Sequence, residues 1–559
     1  MELLFFLTAG LIFIVIKGLY DAKRNKQKIL NRIMAEYGTF NKEEDFNERT
    51  LNDAFLYFEQ EKKLHDGFTV DDITANDLDL DYIWLLTDKC CSAAGSACYY
   101  KMLRTPEFDN EELEKREKLI GFFSDNKDKR VSLQYALSMM SKRPGFNVHN
   151  SIEVFKDGKS NNAWVQYLNI VLLAVSVVVS IVLNSSVSLL LPIGVIIYNI
   201  TTYYLEKRKT DGYIYSLKNI ISMYNVATDI LKLDIPELSE ENGELKKGVA
   251  GLKRLKKASW AIKTTVSYDI MSIFMEYVNM ILHLDLISMS NAVRCAATED
   301  ENILRVYRTL GRIDSLITVS SLRTAKDENC VPELTHEGKP HLGFTGAYHL
   351  LLSNPVPADM ETDRHVLLTG SNASGKSTFL KTVALNAIFA QTIHTCFAEK
   401  YSGSFFKVIT GMTLSDDIIA GESYYITEIK ALKRIMDDND ETPVLCFEDE
   451  ILRGTNTVER IAASASSLLF LAKQNKLVFA ATHDIELTTL LKDEYRNFHF
   501  SEILEENGEI CFDYKLKSGP SETRNAILML KSYGYDDQII DNASAMAEKF
   551  TQSGIWQIN

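Results

Sequence analysis

Apolar positions follow different rules along this chain. Across residues 23–163 and 206–325 they recur at helical spacing between charged residues, which predicts amphipathic helices that each bury one face. Across residues 347–559 short solid runs (Val366 to Leu368, Val444 to Phe447, Leu477 to Ala481) alternate with helical patterns. That alternation predicts an α/β domain with a parallel sheet. Residues 326–346, rich in Gly, Pro and Asp, read as a linker between the two kinds of pattern.

Two stretches are apolar all round. The first, Leu3 to Tyr20, is interrupted by Thr8, Gly10 and Lys17 and is followed by Lys23, Arg24, Lys26 and Lys28. A cleaved signal peptide carries its basic residues before the apolar run, so this order predicts a signal-anchor helix over residues 1–22 with its N-terminus outside. The second, Trp164 to Leu205, holds no charged side chain, and at about 20 residues per crossing it is long enough for two spans. Asn184, Ser185 and Ser186 mark a turn at its middle, and Trp164, Tyr167, Tyr198, Tyr203 and Tyr204 sit near its ends, as interfacial aromatics do. Lys156 and Lys159 flank one side and Lys207, Arg208 and Lys209 the other, so a hairpin over 164–205 has both ends in the cytoplasm. The expectation is a multi-pass protein of the cell membrane with three transmembrane helices and its soluble parts in the cytoplasm.

Net charge narrows the picture only locally. The chain carries −15 over 559 residues, which excludes a surface coated for nucleic-acid binding. One stretch runs the other way: Lys246, Lys247, Lys253, Arg254, Lys256, Lys257 and Lys263, with no acid among them. A solvated helix face, a face resting near lipid headgroups and a phosphate-contacting face all fit it. The eight cysteines are scattered without metal-ligand spacing, which suits a reducing compartment.

The chemistry is concentrated after residue 366. Gly370, Ser371, Asn372, Ala373, Ser374, Gly375, Lys376, Ser377 and Thr378 contain G-x-x-x-x-G-K-S/T, directly after an apolar run and directly before a helical pattern. In that context backbone N–H groups of a tight turn face a phosphate, and a helix aims its positive end at the same anion. Lys376 reaches the β- and γ-phosphates and the Ser377 hydroxyl ligates Mg²⁺, so ATP is the expected ligand. The run ending in Glu448, Asp449 and Glu450 puts carboxylates at a strand end, with Asp449 in the Mg²⁺ shell and Glu450 as general base. Thr482, His483 and Asp484 end another apolar run, where His483 can sense the γ-phosphate.

Taken together these residues resemble the MutS-type ATPases, a branch of the ABC class. Gly370 to Thr378 is similar to that family's Walker A, and Asp449, Glu450, Arg453, Gly454, Thr455, Asn456 and Thr457 to its Walker B with the following loop. Ser415 to Asp417, Gly421 to Tyr425 and Glu428 resemble the segment between them, where Ser423 matches the signature serine; Ala481 to His483 fits the switch histidine. Tyr348, His349 and Asn354 to Pro357 resemble the lead-in beside the nucleotide base. Asn76 to Leu80, Ser92 to Gly95 and Leu103 to Pro106 resemble the start of the family's helical core, and Leu310 to Leu316 its end.

The fold that follows is an α/β P-loop (ABC-type) ATPase domain, C-terminal to an all-α core or lever domain into which the membrane hairpin is inserted. The resemblance implies a head-to-tail homodimer through the ATPase domains, ATP bound between the Walker motifs of one subunit and Ser423 of the other, hydrolysis by Glu450 and His483, and lever movement on DNA. Two departures matter. Ahead of residue 72 no mismatch-reading domain is expected, and Phe58-Glu59-Gln60 lacks the order of the family's Phe-x-Glu wedge. No nuclease is expected after the ATPase. DNA, mismatched or branched, is thus one expected partner, and a protein or membrane partner without DNA is the other.

Overall fold

In a computed structural model the chain divides into two compact units. One comprises Met1–Asp66, Trp84–Met102 and Arg116–Ala325, the other Gly67–Ile83, Leu103–Lys115 and Lys326–Asn559. The structure describes residues 2–140, 142, 144–158, 163–262, 270–371, 374–412, 424–438, 441–504, 510–521, 527, 530, 534–553 and 556.

The first unit is helical, and its core is fixed where two distant sequence stretches meet. The helices Ala93–Arg104 and Asp300–Ala325 approach so closely that a Cβ on Gly311 would lie 2.3 Å from the Cys98 sulfur. The Asp314 carboxylate accepts from Cys91 N (3.0 Å), Ser92 N (2.9 Å) and the Ser92 hydroxyl (2.6 Å). It thereby satisfies donors at the start of the helix Ala93–Arg104 that the helix itself cannot. Burial pushes the Asp314 carboxyl up to about 6, against the pull of these same donors.

Membrane-length helices among the described residues are fewer than the three expected. Among the described residues one helix, Trp164–Leu183, is long and apolar enough to cross a membrane. Asn184, in left-handed backbone at φ 40°, ends it where the turn was expected. The second half of the hairpin does not end at Leu205: it opens a continuous helix, Leu190–Lys232, of 43 residues. Glu206, Lys207 and Arg208 are good helix formers, so nothing stops the helix where the apolar stretch stops. Its apolar opening, residues 190–205, is shorter than the about 20 residues a crossing needs. The N-terminal helix likewise runs past residue 22, from Glu2 to Glu36, and the side chains of residues 2–15 lie outside the described set.

The helix Trp164–Leu183 packs inside out. Its buried positions are polar (Gln166, Asn169, Ser176 and Ser180) and its exposed ones apolar, with Ile181 71% and Val182 77% exposed. The Leu190–Lys232 helix continues the pattern, with Asn199 buried and Leu190, Leu191, Ile193 and Ile197 exposed.

The second unit carries the strands: β1 (Glu333–Thr335), β2 (Leu342–Ala347), β3 (Ala358–Thr362), β4 (His365–Thr369), β5 (Lys400–Ser404), β6 (Lys407–Gly411), β7 (Val444–Asp449), β8 (Lys476–Ala481), β9 (Tyr495–His499), β10 (Glu502–Leu504), β11 (Ile510–Phe512) and β12 (Lys517–Ser518). β1 and the start of β2 lie inside the stretch expected as a linker. A small sheet has the order β1-β5-β2-β3, and the main sheet β12-β9-β4-β8-β7-β6, with β6, β7, β8, β4 and β9 parallel. Two pieces of the expected helical block, residues 67–83 and 103–115, belong to this unit. A buried carboxylate ties the first, since Asp77 accepts from the Thr410 hydroxyl (2.6 Å) and Met412 N (2.9 Å) at the end of β6, and Glu107 N donates to Gln391 O (2.8 Å) in the second.

Replacing Asp314 by alanine leaves buried N–H donors without an acceptor and is expected to cost about 2–3 kcal/mol. A thermal scan of the detergent-solubilised chain should show a transition lowered by several degrees; an unchanged transition would contradict the capping role.

Candidate active site

The site is set by register. Leu368 of β4 pairs with Ala481 of β8, and Ala481 with Asp449 of β7, so three adjacent parallel strands end level with one another. Backbone bonds carry the alignment one residue further, from Thr482 N to Leu368 O and from Glu450 N to Ala481 O, both 2.9 Å. Side chains leaving these ends converge at the carboxyl edge of the sheet, where open α/β folds bind ligands.

β4 delivers the chain to the Gly370 turn. Gly370 has φ 138°, and a Cβ there would sit 2.5 Å from the Phe500 carbonyl, so no other residue fits without displacing backbone. Gly375 (φ 106°) precedes the helix Lys376–Thr392. Lys376 is 4% exposed, and its Nζ donates to the carbonyls of Gly370 and Ser371, each at 2.8 Å. Burial lowers the Lys376 pKa, while the nearby carboxylates of Asp449 and Glu450 oppose the shift.

Asp449 and Glu450 face this amine differently. The Ser377 hydroxyl donates to Asp449 Oδ2, and Asp449 Oδ1 is buried with no hydrogen-bond partner among the described residues. A hydroxyl oxygen beside an unsatisfied carboxylate oxygen is a donor set that suits a hard cation such as Mg²⁺. Glu450, in left-handed backbone at φ 59°, binds His483 Nε2 through Oε1 (2.7 Å) and Arg453 Nε through Oε2 (2.5 Å). Burial works against its charge, yet His483, Arg453 and Lys376 hold the Glu450 carboxyl below its ordinary value. Glu448 is different. It lies inside a strand buried on both faces, and burial raises its pKa to about 8.

Supporting bonds hold the turns that carry these groups. Buried Glu428 accepts from Arg453 N (3.1 Å) and Gly454 N (3.2 Å), which fixes the loop after β7. Arg460 grips Asp484 through two bonds (2.9 and 2.6 Å), fixing the turn that carries His483.

Beside the phosphate turn lies a cleft of about 500 Å³, lined by His349, Pro355, Val356, Phe379, Phe500 and Tyr514 along with Lys376, Ser377, Thr378 and Glu450. Burial pushes the His349 imidazole down to about 4, and its Nδ1 accepts from Leu351 N (3.3 Å), so the neutral ring carries its proton on Nε2. Of the residues expected at the site, Gly370, Ser371, Ser374, Gly375, Lys376, Ser377, Thr378, Asp449, Glu450 and His483 lie in one neighbourhood. Asn372, Ala373 and Ser423 lie outside the described residues. Sequence reasoning missed Phe379, Phe500 and Tyr514 as cleft walls. Phe500 directly follows β9, a detectable signal, whereas nothing local marks Tyr514.

Comparison with known proteins sharpens the assignment. Residues 366–551 match the MutS domain V family. MutS domain V is an ATPase domain, and here it follows a helical region in the chain. Over 265 residues the chain is 29% identical to the DNA mismatch repair protein MutS of Listeria monocytogenes serotype 4a, covering 44% of this chain and 30% of that protein. It is 27% identical over 261 residues to the MutS of Natronomonas pharaonis (45% and 30%) and 31% identical over 214 to that of Lactobacillus gasseri (37% and 24%). The matches thus span less than a third of these curated relatives.

Arg453→Ala removes a charge that keeps Glu450 ionised. The depressed pKa means the base form persists below the ordinary carboxylate range, so the variant's acid limb of kcat/KM for ATP should move to higher pH. A superimposable pH profile would contradict the coupling.

Proposed function

We propose that this protein is a membrane-anchored ATPase that binds ATP with Mg²⁺ in the cleft beside Gly370–Thr378 and converts its hydrolysis into movement of its helical parts. The observation that carries this reading is the convergence of Lys376, Ser377, Asp449, Glu450 and His483 at three level strand ends. Lys376 leaves its two backbone carbonyls for the β- and γ-phosphates, a favourable exchange for an amine held in so little water. Ser377 and Asp449 would hold Mg²⁺, whose charge helps neutralise the phosphates when bound. Glu450, kept ionised by its neighbours, takes the proton of the attacking water, and His483 stands beside both Glu450 and Lys376 to steady the charge developing on the γ-phosphate. The adenine is received between the walls formed by His349, Phe379, Phe500 and Tyr514.

A homodimer through the ATPase domains, with Ser423 of each subunit reaching the other's nucleotide, follows from the similarity to MutS. So does DNA, mismatched or branched, as what the helical parts handle, since the relatives are named for mismatch repair. The inside-out helix Trp164–Leu183 supports a bilayer around that segment, because an apolar exterior over a polar seam suits lipid and not water. It equally favours a second reading, in which the cycle acts on a membrane or protein partner without DNA. The expected topology, with the N-terminus outside and the ATPase in the cytoplasm, belongs to this proposal.

ATP turnover by the detergent-solubilised chain, with and without branched duplex DNA, separates these readings. Glu450→Gln should lower turnover about 10²–10⁴-fold while leaving nucleotide binding intact. Stimulation by DNA that fades with added salt supports the DNA reading. Glu450-dependent turnover that ignores DNA supports the second reading, and turnover that survives Glu450→Gln would refute the assignment of the base.

A further inference from the structure

The apolar jacket of the first unit has a defined lower edge. At Tyr204 and Leu205 exposed apolar side chains give way to Glu206, Lys207 and Arg208. In the layer below, Lys207 Nζ donates to the Tyr203 hydroxyl (2.9 Å), which donates to Asp285 Oδ2 (2.8 Å). About 4.5 Å further along the helix Leu284–Ala296, one turn on, Ser288 binds a second segment. Its hydroxyl donates to Ala258 O (2.7 Å) and accepts from Ala261 N (3.2 Å). The end of the helix Ser239–Ala258, with Trp260 just beyond it, is therefore tied next to the layer where the jacket stops.

That helix is two-faced. Leu245, Gly248, Leu252 and Leu255 are buried, while Lys246, Lys247, Lys253, Arg254 and Lys257 are exposed. Its last acid, Glu244, is engaged by Lys247 (2.7 Å) and Arg305 (2.6 Å). Lys253, Arg254 and Lys257 have no carboxylate partner among the described residues. Trp260 is 64% exposed, a large aromatic surface left in water at the margin of an apolar belt.

We propose that this face is a lipid-headgroup surface: Lys253, Arg254 and Lys257 meet the phosphates of an anionic bilayer and Trp260 enters its interfacial layer. The inference rests on the membrane reading given above. Continuity decides between lipid and nucleic acid, because the Ser288 bonds bring the basic end and the tryptophan to the jacket's edge, where headgroups lie. Trp is the side chain suited to that depth, and each basic residue near an anionic surface strengthens attachment roughly fivefold. Lys246 and Lys247 lie some two to three turns farther back along the helix, roughly 10–15 Å and beyond a Debye length, so they contribute little.

The test uses the full chain in nanodiscs of phosphatidylcholine alone or mixed with phosphatidylglycerol. Amide exchange over residues 250–262 should slow only with phosphatidylglycerol, and brominated lipid should quench a fluorescence component that Trp260→Phe removes. Both signals should be lost in high salt and in the triple variant Lys253→Gln, Arg254→Gln, Lys257→Gln, but persist in Lys246→Gln, Lys247→Gln. Equal exchange in both lipids, with the chain still resisting carbonate extraction, overturns this inference and leaves the anchor standing. Release by carbonate overturns both. Slowing by duplex DNA in place of phosphatidylglycerol overturns the lipid assignment in favour of nucleic acid.

Discussion

A buried ammonium organises the catalytic unit. Lys376 sits almost out of water, and a charge so placed must be solvated by the protein itself. The carbonyls of Gly370 and Ser371 do this at 2.8 Å each, which ties the turn to the first residue of the following helix. The two nearby carboxylates supply the opposing charge, and each is engaged in turn, Asp449 by Ser377 and Glu450 by His483 and Arg453. The site is thus held together by the same groups that an incoming phosphate would rearrange.

The main sheet and the Trp164–Leu183 helix solve burial in opposite ways. The ATPase sheet buries Leu367, Cys446, Val478 and Ala480 in an apolar interior and leaves polar groups at the strand ends. The Trp164–Leu183 helix hides serines and amides and shows valines and isoleucines. The exposed apolar surface that water penalises is what a bilayer accepts, and the proposed membrane anchor rests on that contrast.

Much of this was legible in the sequence, for local reasons. The strand ends bearing Lys376, Asp449 and His483 could be read because each follows a short solid apolar run, and the turn because its glycines and lysine have a fixed spacing. The rest depended on contacts between distant residues. That Asp77 and its neighbours join the ATPase unit depends on bonds to β6, more than 330 positions away. Tyr514 lines the cleft from a segment with no local signature, and Glu428 clamps the loop after β7 through its side chain alone. The hairpin's second arm runs on past Leu205 because helix propensity does not end where hydropathy does.

If Lys376, Ser377, Asp449, Glu450 and His483 form one phosphate and metal site, nucleotide and metal must bind together. Calorimetric titration of the solubilised chain and of Asp449→Ala with a non-hydrolysable ATP analogue, with and without Mg²⁺, tests it most directly. Mg²⁺ should tighten binding to the natural protein and have no effect on the variant. Equal Mg²⁺ dependence in the two would contradict it.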